Sequence, residues 1–188
     1  MNVYDFDNTI YDGESAVDFF MFCIKYSPRI ISLLPLLIIK LIKYKMCLIT
    51  IEELEKYVEK YSKKMIDSVD NVTELVDIFW DKNFKKIKKF YLNQKSEDDV
   101  IISASFDFLL RKPIEMLGIK TLICSEIDTK TGAFTKMCFH SNKVERIREV
   151  LKGDEHICFY TDSMNDKPMI ELAQEAYLVK GNKITLLK

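Results

Sequence analysis

The chain has 188 residues, with 28 Lys and Arg against 29 Asp and Glu, 48% apolar residues, five Gly and four Pro. That length supports one main domain with at most one elaborate insertion. A net charge of −1 argues against a chain held to nucleic acid by bulk positive charge, and the low Gly and Pro content excludes collagen-like, low-complexity and disordered classes.

Residues 1 to 5 read as a short strand ending in the acidic turn Asp5-Phe6-Asp7-Asn8-Thr9. From Asp12 to Gln94 the apolar periodicity is helical, and four helices are expected. The first, Glu14 to Tyr26, spaces Val17, Phe20, Met21 and Ile24 along one face. The second, Pro28 to Met46, is expected to kink at Pro35. A third opens at Thr50, whose Thr-x-x-Glu53 is a capping box, and carries Leu54, Tyr57, Val58 and Tyr61 on one side. The fourth runs from Asn71 through Leu75, Phe79, Ile87 and Tyr91, with Lys82, Lys85, Lys86, Lys88 and Lys89 as a solvated face. Residues 12 to 95 hold 15 basic and 12 acidic side chains, so the insertion is mildly basic.

Beyond Ser96 apolar runs alternate with helical stretches. Val100 to Ile102 leads into Ser103-Ala104-Ser105 and a helix closing near Gly118. Thr121 to Ser125 is extended, Gly132 marks a hairpin turn, Asn142-Lys143 opens a helix reaching Gly153, and His156 to Thr161 is a strand. A helix from Lys167 and extended runs at Ala176 to Val179 and Ile184 to Leu187 complete the pattern. The expected fold class is α/β, a doubly wound and mostly parallel sheet covered on both faces. The expected division is a core of residues 1–12 and 96–188 with a helical insertion at 13–95.

Five cysteines (Cys23, Cys47, Cys124, Cys138, Cys158) contain no C-x-x-C pair and read as reduced core thiols. No secretory signal is evident at the first residues, so a cytoplasmic location is the default expectation. Ile30 to Ile42 has ten apolar residues in thirteen. A spanning helix needs about 20, so a buried or interfacial helix is expected there.

Ligands of an open α/β sheet bind outside the carboxyl ends of its strands. The residues there are Asp5 and Asp7, Ser103, then Asp162 and Asp166, with Lys143 in the first turn of a helix. Carboxylates suit Mg²⁺, while a serine hydroxyl and a lysine ammonium suit phosphoryl oxygens.

In this order the motifs resemble those of the haloacid-dehalogenase-like superfamily, in its phosphoserine-phosphatase-like branch: Asp5-Phe6-Asp7-Asn8-Thr9, Ser103 after a strand, Lys143 before a helix, and Asp162-Ser163-Met164-Asn165-Asp166. The resemblance implies a HAD-like Rossmannoid core whose insertion is a helical-bundle cap. It implies Asp5 as nucleophile, forming an aspartyl-phosphate, and Asp7 as the acid and then base, with Ser103 and Lys143 holding the phosphoryl group. The Mg²⁺ ligands implied are Asp5, the Asp7 main-chain carbonyl, Asp162 and Asp166. Substrate contacts are implied at Glu14, Ser103, Ala104, Lys143 and Asn165. Asn8, Ala104 and Thr161 depart from the commonest pattern, where Gly or Ser, Gly and Gly are more usual.

The expected partner is a small phosphorylated substrate, with no nucleic acid and with membrane contact not favoured. Two alternatives stand beside it: a lipid-phosphate phosphatase whose cap touches a membrane, and a non-catalytic phosphate-binding protein. A phospho-accepting receiver domain ranks last, because its acids come in another order and it lacks such an insertion. Glu14 also fits a plain helix-start acid, Arg29 a surface position, and His140 and His156 structural roles.

Overall fold

The computed structural model describes residues 1–33, 35, 39, 40, 43, 46, 48–139, 141–151, 153 and 155–188. Among them seven strands form one sheet: β1 (Asn2–Asp5), β2 (Val100–Phe106), β3 (Thr121–Ile127), β4 (Phe134–Lys136), β5 (Cys158–Thr161), β6 (Glu175–Lys180) and β7 (Lys183–Leu186). Their spatial order is β4-β3-β2-β1-β5-β6-β7. β1 pairs in parallel with both β2 and β5, and the parallel ladder continues to β3 and β6. β4 and β7 return antiparallel, β4 through the turn at Gly132, where φ is +77°. The chain winds outward from β1 one way and resumes at β5 on the other side. The switch point therefore falls at β1, where ligands of such sheets gather.

Alternation along the strands divides the core in two. Val3, Val100, Ile102 and Phe159 pack with Ile147 of α6 (Ser141–Arg148) and with Met169 and Ile170 of α7 (Lys167–Leu172). Tyr4 and Ile101 point the other way, toward Leu109, Leu110 and Ile114 of α5 (Asp107–Leu117). Gly118 ends α5 in the left-handed conformation, as expected.

The insertion contributes α1 (Ser15–Cys23), α2 (Ile51–Asp67), α3 (Val72–Asn83) and α4 (Lys89–Gln94). Its side chains join the second cluster. Trp80 is fully buried against Phe6, Tyr11 and Phe79 and donates Nε1–H to the Leu109 carbonyl at 2.7 Å. Tyr91 meets Tyr4 edge-on, and Gln94 bonds the Tyr4 hydroxyl at 3.0 Å. The Thr50–Glu53 capping box opens α2. Glu59 of α2 accepts the Phe134 N–H of β4 at 2.8 Å, and a Cβ on Gly132 would lie 2.4 Å from Lys63 Cβ.

Several expectations change. In α1 the buried residues are Ser15, Phe19, Phe22 and Cys23, whereas Val17 and Met21 are 58% and 50% exposed. The helix has apolar residues on both sides, and ring contacts of Phe19 and Phe22 with Phe79 decide which turns inward. Pro28–Leu33 is 3-10 rather than α-helical; most of the remaining expected second helix, with Cys47 and His140, lies outside the described residues. The fourth helix stops at Asn83, whose side-chain amide donates to the Phe79 carbonyl at 2.8 Å. The chain then leaves the helical path to bond the acidic loop: Lys88 N–H donates to Ile10 O at 2.8 Å, and Ile87 pairs with Tyr11. Lys88 is consequently buried, not solvated. Boundaries shift at α6, which ends at Arg148, and at β5, which begins at Cys158.

Cys23, Cys124 and Cys138 are free and buried, as expected of core thiols, while Cys158 is half-buried. Among the described residues no helix is long and apolar enough to cross a membrane.

Candidate active site

Pairing brings the motif residues together. Asp5 ends β1 level with Ile102 of β2, and Tyr4 is level with Tyr160 of β5. The residues that follow those positions, Ser103 and Thr161-Asp162, flank Asp5. After Asp5 the backbone folds back at once: Ile10 and Tyr11 both donate to the Phe6 carbonyl at 2.9 Å, and Asn8 takes φ +56°. Asn tolerates the left-handed region where most side chains do not.

Lys143, 4% exposed, projects from the first turn of α6 and donates to Asp5 Oδ1 at 2.8 Å and to Asp166 Oδ1 at 2.9 Å. Burial by itself would discharge this lysine, but the two carboxylates outweigh it and hold the ammonium above its usual range. Burial, reinforced by the charges of Asp166 and Asp7 and opposed by Lys143, pushes the Asp5 carboxyl up to about 7. Thr9 donates to Asp5 Oδ2 at 3.4 Å. Thr161 donates to Asp166 Oδ2 at 2.9 Å, so the departure at that position supplies a hydroxyl that aims Asp166 at Lys143.

Asp7 takes two close bonds. The Ser15 N–H, at the start of α1, reaches Oδ1 at 2.6 Å, and the Ser105 hydroxyl reaches Oδ2 at 2.6 Å. Ser15 and Ser105 are themselves 3.1 Å apart. Burial still pushes the Asp7 carboxyl up, against those bonds. Neither serine stands out in the sequence. Ser105 could have been found as the i+2 partner of Ser103 on one side of a strand; Ser15 carries no comparable signal. Ser103 is 1% exposed, and its hydroxyl accepts the Ser105 N–H at 3.1 Å. Ala104 is exposed at the same strand end.

Asp162 is half-buried; burial raises its pKa, with Lys180 opposing and Asp166 adding to the shift. Its main-chain carbonyl accepts from Lys180 Nζ at 2.6 Å. Glu14 is at the exposed rim, bonded by Asn8 Nδ2 at 2.6 Å, and is pushed up by partial burial and by the Asp7 and Asp162 charges. Asn165 is exposed, and its N–H donates to Ser163 Oγ at 3.1 Å. A further buried cation, missed in the sequence, is Lys88: Nζ donates to the Asn8 carbonyl, and Asp12 and Asp162 lie close enough to oppose the discharge that burial favours.

Residues 3–171 match the family model described as haloacid dehalogenase-like hydrolase. The chain belongs to the haloacid dehalogenase-like hydrolases. No curated protein matches the sequence. Among solved structures, a protein of unknown function from Bordetella pertussis Tohama I aligns with TM-score 0.70 at 17% identity, covering 94% of this chain and 87% of that one. A phosphoserine phosphohydrolase-like protein from Francisella tularensis aligns with TM-score 0.58 at 13% identity, covering 93% and 84%. A phosphoserine phosphatase in its apo form gives TM-score 0.58 at 16% identity, covering 93% and 83%. The fold is thus shared with phosphoserine-phosphatase-like members of this hydrolase family.

The donor set suits a hard divalent cation. Asp5 and Asp166 share Lys143, Asp162 is faced by Lys180 and Lys88, and burial still leaves Asp5, Asp7 and Asp162 with carboxyls pushed up. An added cation would relieve that shortage of positive charge. Mg²⁺ needs only one or two protein carboxylates and keeps waters for the rest.

Proposed function

We propose that this hydrolase is a Mg²⁺-dependent phosphomonoesterase acting on a small phosphorylated metabolite through an aspartyl-phosphate on Asp5. The observation that carries this reading is Lys143 bonded at once to Asp5 and Asp166, with Asp7 held beside them by Ser15 and Ser105. Asp5, the Asp7 main-chain carbonyl, Asp162 and Asp166 would hold the cation, which when bound supplies positive charge to the substrate phosphoryl oxygens.

Asp5 attacks phosphorus, and the ester P–O bond breaks as Asp7 delivers a proton to the departing oxygen. Asp7 then takes a proton from water as that water attacks phosphorus of the Asp5 acyl phosphate, breaking its P–O bond, releasing inorganic phosphate and freeing the Asp5 carboxylate. Lys143 and Ser103 steady the phosphoryl oxygens, where charge accumulates in the transition state. Glu14, Ala104 and Asn165 face the leaving group. The helical insertion, residues 13–95, acts as a cap over the site, opening for exchange and closing against water.

Inorganic phosphate release from phosphorylated amino acids, sugars, nucleotides and short-chain lipid phosphates, with Mg²⁺ or with EDTA, tests the reading. Turnover should vanish with EDTA and in Asp5→Asn. Absence of turnover across the panel, in folded protein that binds Mg²⁺, would transfer the site to a phosphate-binding role.

One observation favours a lipid phosphate as the substrate. Val17, Met21, Tyr26, Ile31, Met46 and Leu48 of the insertion are each between 48% and 63% exposed. Failure to sediment with anionic vesicles would remove that version.

A further inference from the structure

At the opposite end of β5 from the acids, three side chains with metal-binding atoms converge. Among the described residues, His156, Cys158 and Glu175 bring a ring nitrogen, a thiol sulfur and a carboxylate oxygen all within 4.8 Å of one another. The backbone dictates this. His156 and Cys158 are two apart where the chain enters β5, so both project to one side, and the parallel register sets Cys158 directly beside Glu175 of β6. His156 Nε2 lies 3.1 Å from Glu175 Oε1.

A surface His–Glu pair alone would need no further explanation and contributes little to stability. Two additional features point to a ligand. Cys158 is half-buried, and its sulfur lies within 4.8 Å of both the His156 ring nitrogen and the Glu175 carboxylate oxygen, so a soft donor joins the pair. Tyr177 donates its hydroxyl to the other oxygen of Glu175. That bond fixes the carboxylate with Oε1 turned inward, as outer partners of metal ligands do. Tyr177 also stacks on Tyr160, with ring centroids 4.7 Å apart, so the orienting group is itself braced.

We propose that His156, Cys158 and Glu175 form a second metal site, for a borderline divalent cation such as Zn²⁺, separate from the phosphoryl-transfer acids. Thiolate, imidazole and carboxylate together match Zn²⁺ and its near neighbours and are a poor match for Mg²⁺. Bonds of about 2.0 to 2.3 Å would draw the three donors to about 3.5 Å apart, a side-chain adjustment from their present spacing. On binding, the Cys158 thiol releases its proton to solvent and His156 carries its proton on Nδ1, leaving Nε2 to ligate. Three protein donors leave a fourth position for water. The bound cation ties β5 to β6 at the end of the sheet remote from Asp5.

Co²⁺ serves as a coloured stand-in. Metal-stripped full-length protein, in excess Mg²⁺ to occupy the acid cluster, should bind one Co²⁺ with a thiolate-to-cobalt charge-transfer band that equimolar Zn²⁺ abolishes. Cys158→Ser should lose the band, and His156→Asn and Glu175→Gln should each weaken Co²⁺ binding at least tenfold. Cys47→Ser should keep the band, and Mg²⁺-dependent phosphate release should persist in Cys158→Ser. No charge-transfer band in the wild-type protein, or a band that survives Cys158→Ser, would overturn the proposal. Neither result bears on the acid cluster, whose test is phosphate release.

Discussion

Lys143 and Asp5, 138 positions apart in the sequence, meet at 2.8 Å with at most a tenth of either side chain exposed. Such a pair stabilises the fold only while both partners remain, because removing one leaves a buried charge uncompensated. Lys143→Met should therefore destabilise the metal-free protein by about 3 to 5 kcal/mol in urea unfolding. It should also cut phosphate release by about 100-fold or more. Lys143→Arg should recover much of the stability but little of the rate, since a planar fork cannot reproduce a point charge shared between Asp5 and Asp166.

Stability should fall as pH rises. Burial pushes Asp5 up to about 7, and Asp7, Asp162 and Glu14 shift upward too. Each holds its proton more tightly folded than unfolded, so between about pH 4 and its native pKa the folded state carries more protons. The sign of the linkage is then negative: the contribution is best at low pH and lost as pH rises through the native pKa. Thermal melts of metal-free protein should give a higher midpoint at pH 5.5 than at pH 7.5. Asp5→Asn should flatten the difference, and so should saturating Mg²⁺. A midpoint that climbs with pH across this range would contradict the assignment.

Ser105 should tune Asp7. Its hydroxyl, 2.6 Å from Asp7 Oδ2, favours the ionised carboxylate. In Ser105→Ala the Asp7 pKa rises further, and the limb on the acid side of the kcat profile should move to higher pH. The stability cost should be about 1 to 3 kcal/mol, that of one buried acceptor losing its donor. Profiles that superimpose would separate Ser105 from the proton transfer.

Trp80 fastens the insertion to the core. It touches Phe6 and Tyr11 of the acidic loop and bonds α5 through Leu109 O. Trp80→Ala should cost about 3 to 5 kcal/mol. Trp80→Phe should cost less while stranding the Leu109 carbonyl. Hydrogen exchange at Tyr11 to Gly13 should quicken in Trp80→Phe even where the rest of the fold stays protected; unchanged exchange there would show that Trp80 does not hold this loop.

That Asp5, Lys143 and Asp166 would meet was legible because Asp5 follows an apolar run, Lys143 opens a helix and Asp166 stands just beyond the next strand. The sheet was legible for the same reason: Val100–Ile102 and Cys158–Thr161 are apolar runs between turn residues. The buried face of α1 was not legible, because Val17 with Met21 at i, i+4 and Phe19 with Phe22 at i, i+3 both fit a helix, and distant rings, Phe79 and Phe108, choose between them. The break after Asn83 was hidden likewise. Lys82 to Tyr91 keep a helical pattern that pairing of Ile87 with Tyr11 overrides, and the same pairing buries Lys88. Ser15 became visible only when α1 was seen to begin against Asp7.

The contact between Glu59 and the Phe134 N–H reaches past the chemistry. β4 is the outermost strand on its side, where unpaired backbone donors would invite a strand from another molecule. With Glu59 of α2 taking the Phe134 N–H, and with only three residues to offer, this margin is guarded against self-association. The guard belongs to the same insertion proposed to swing for substrate exchange, so the protein is most exposed to sticking to its own copies when open. A substrate analogue that holds the insertion down should then extend its shelf life in concentrated solution.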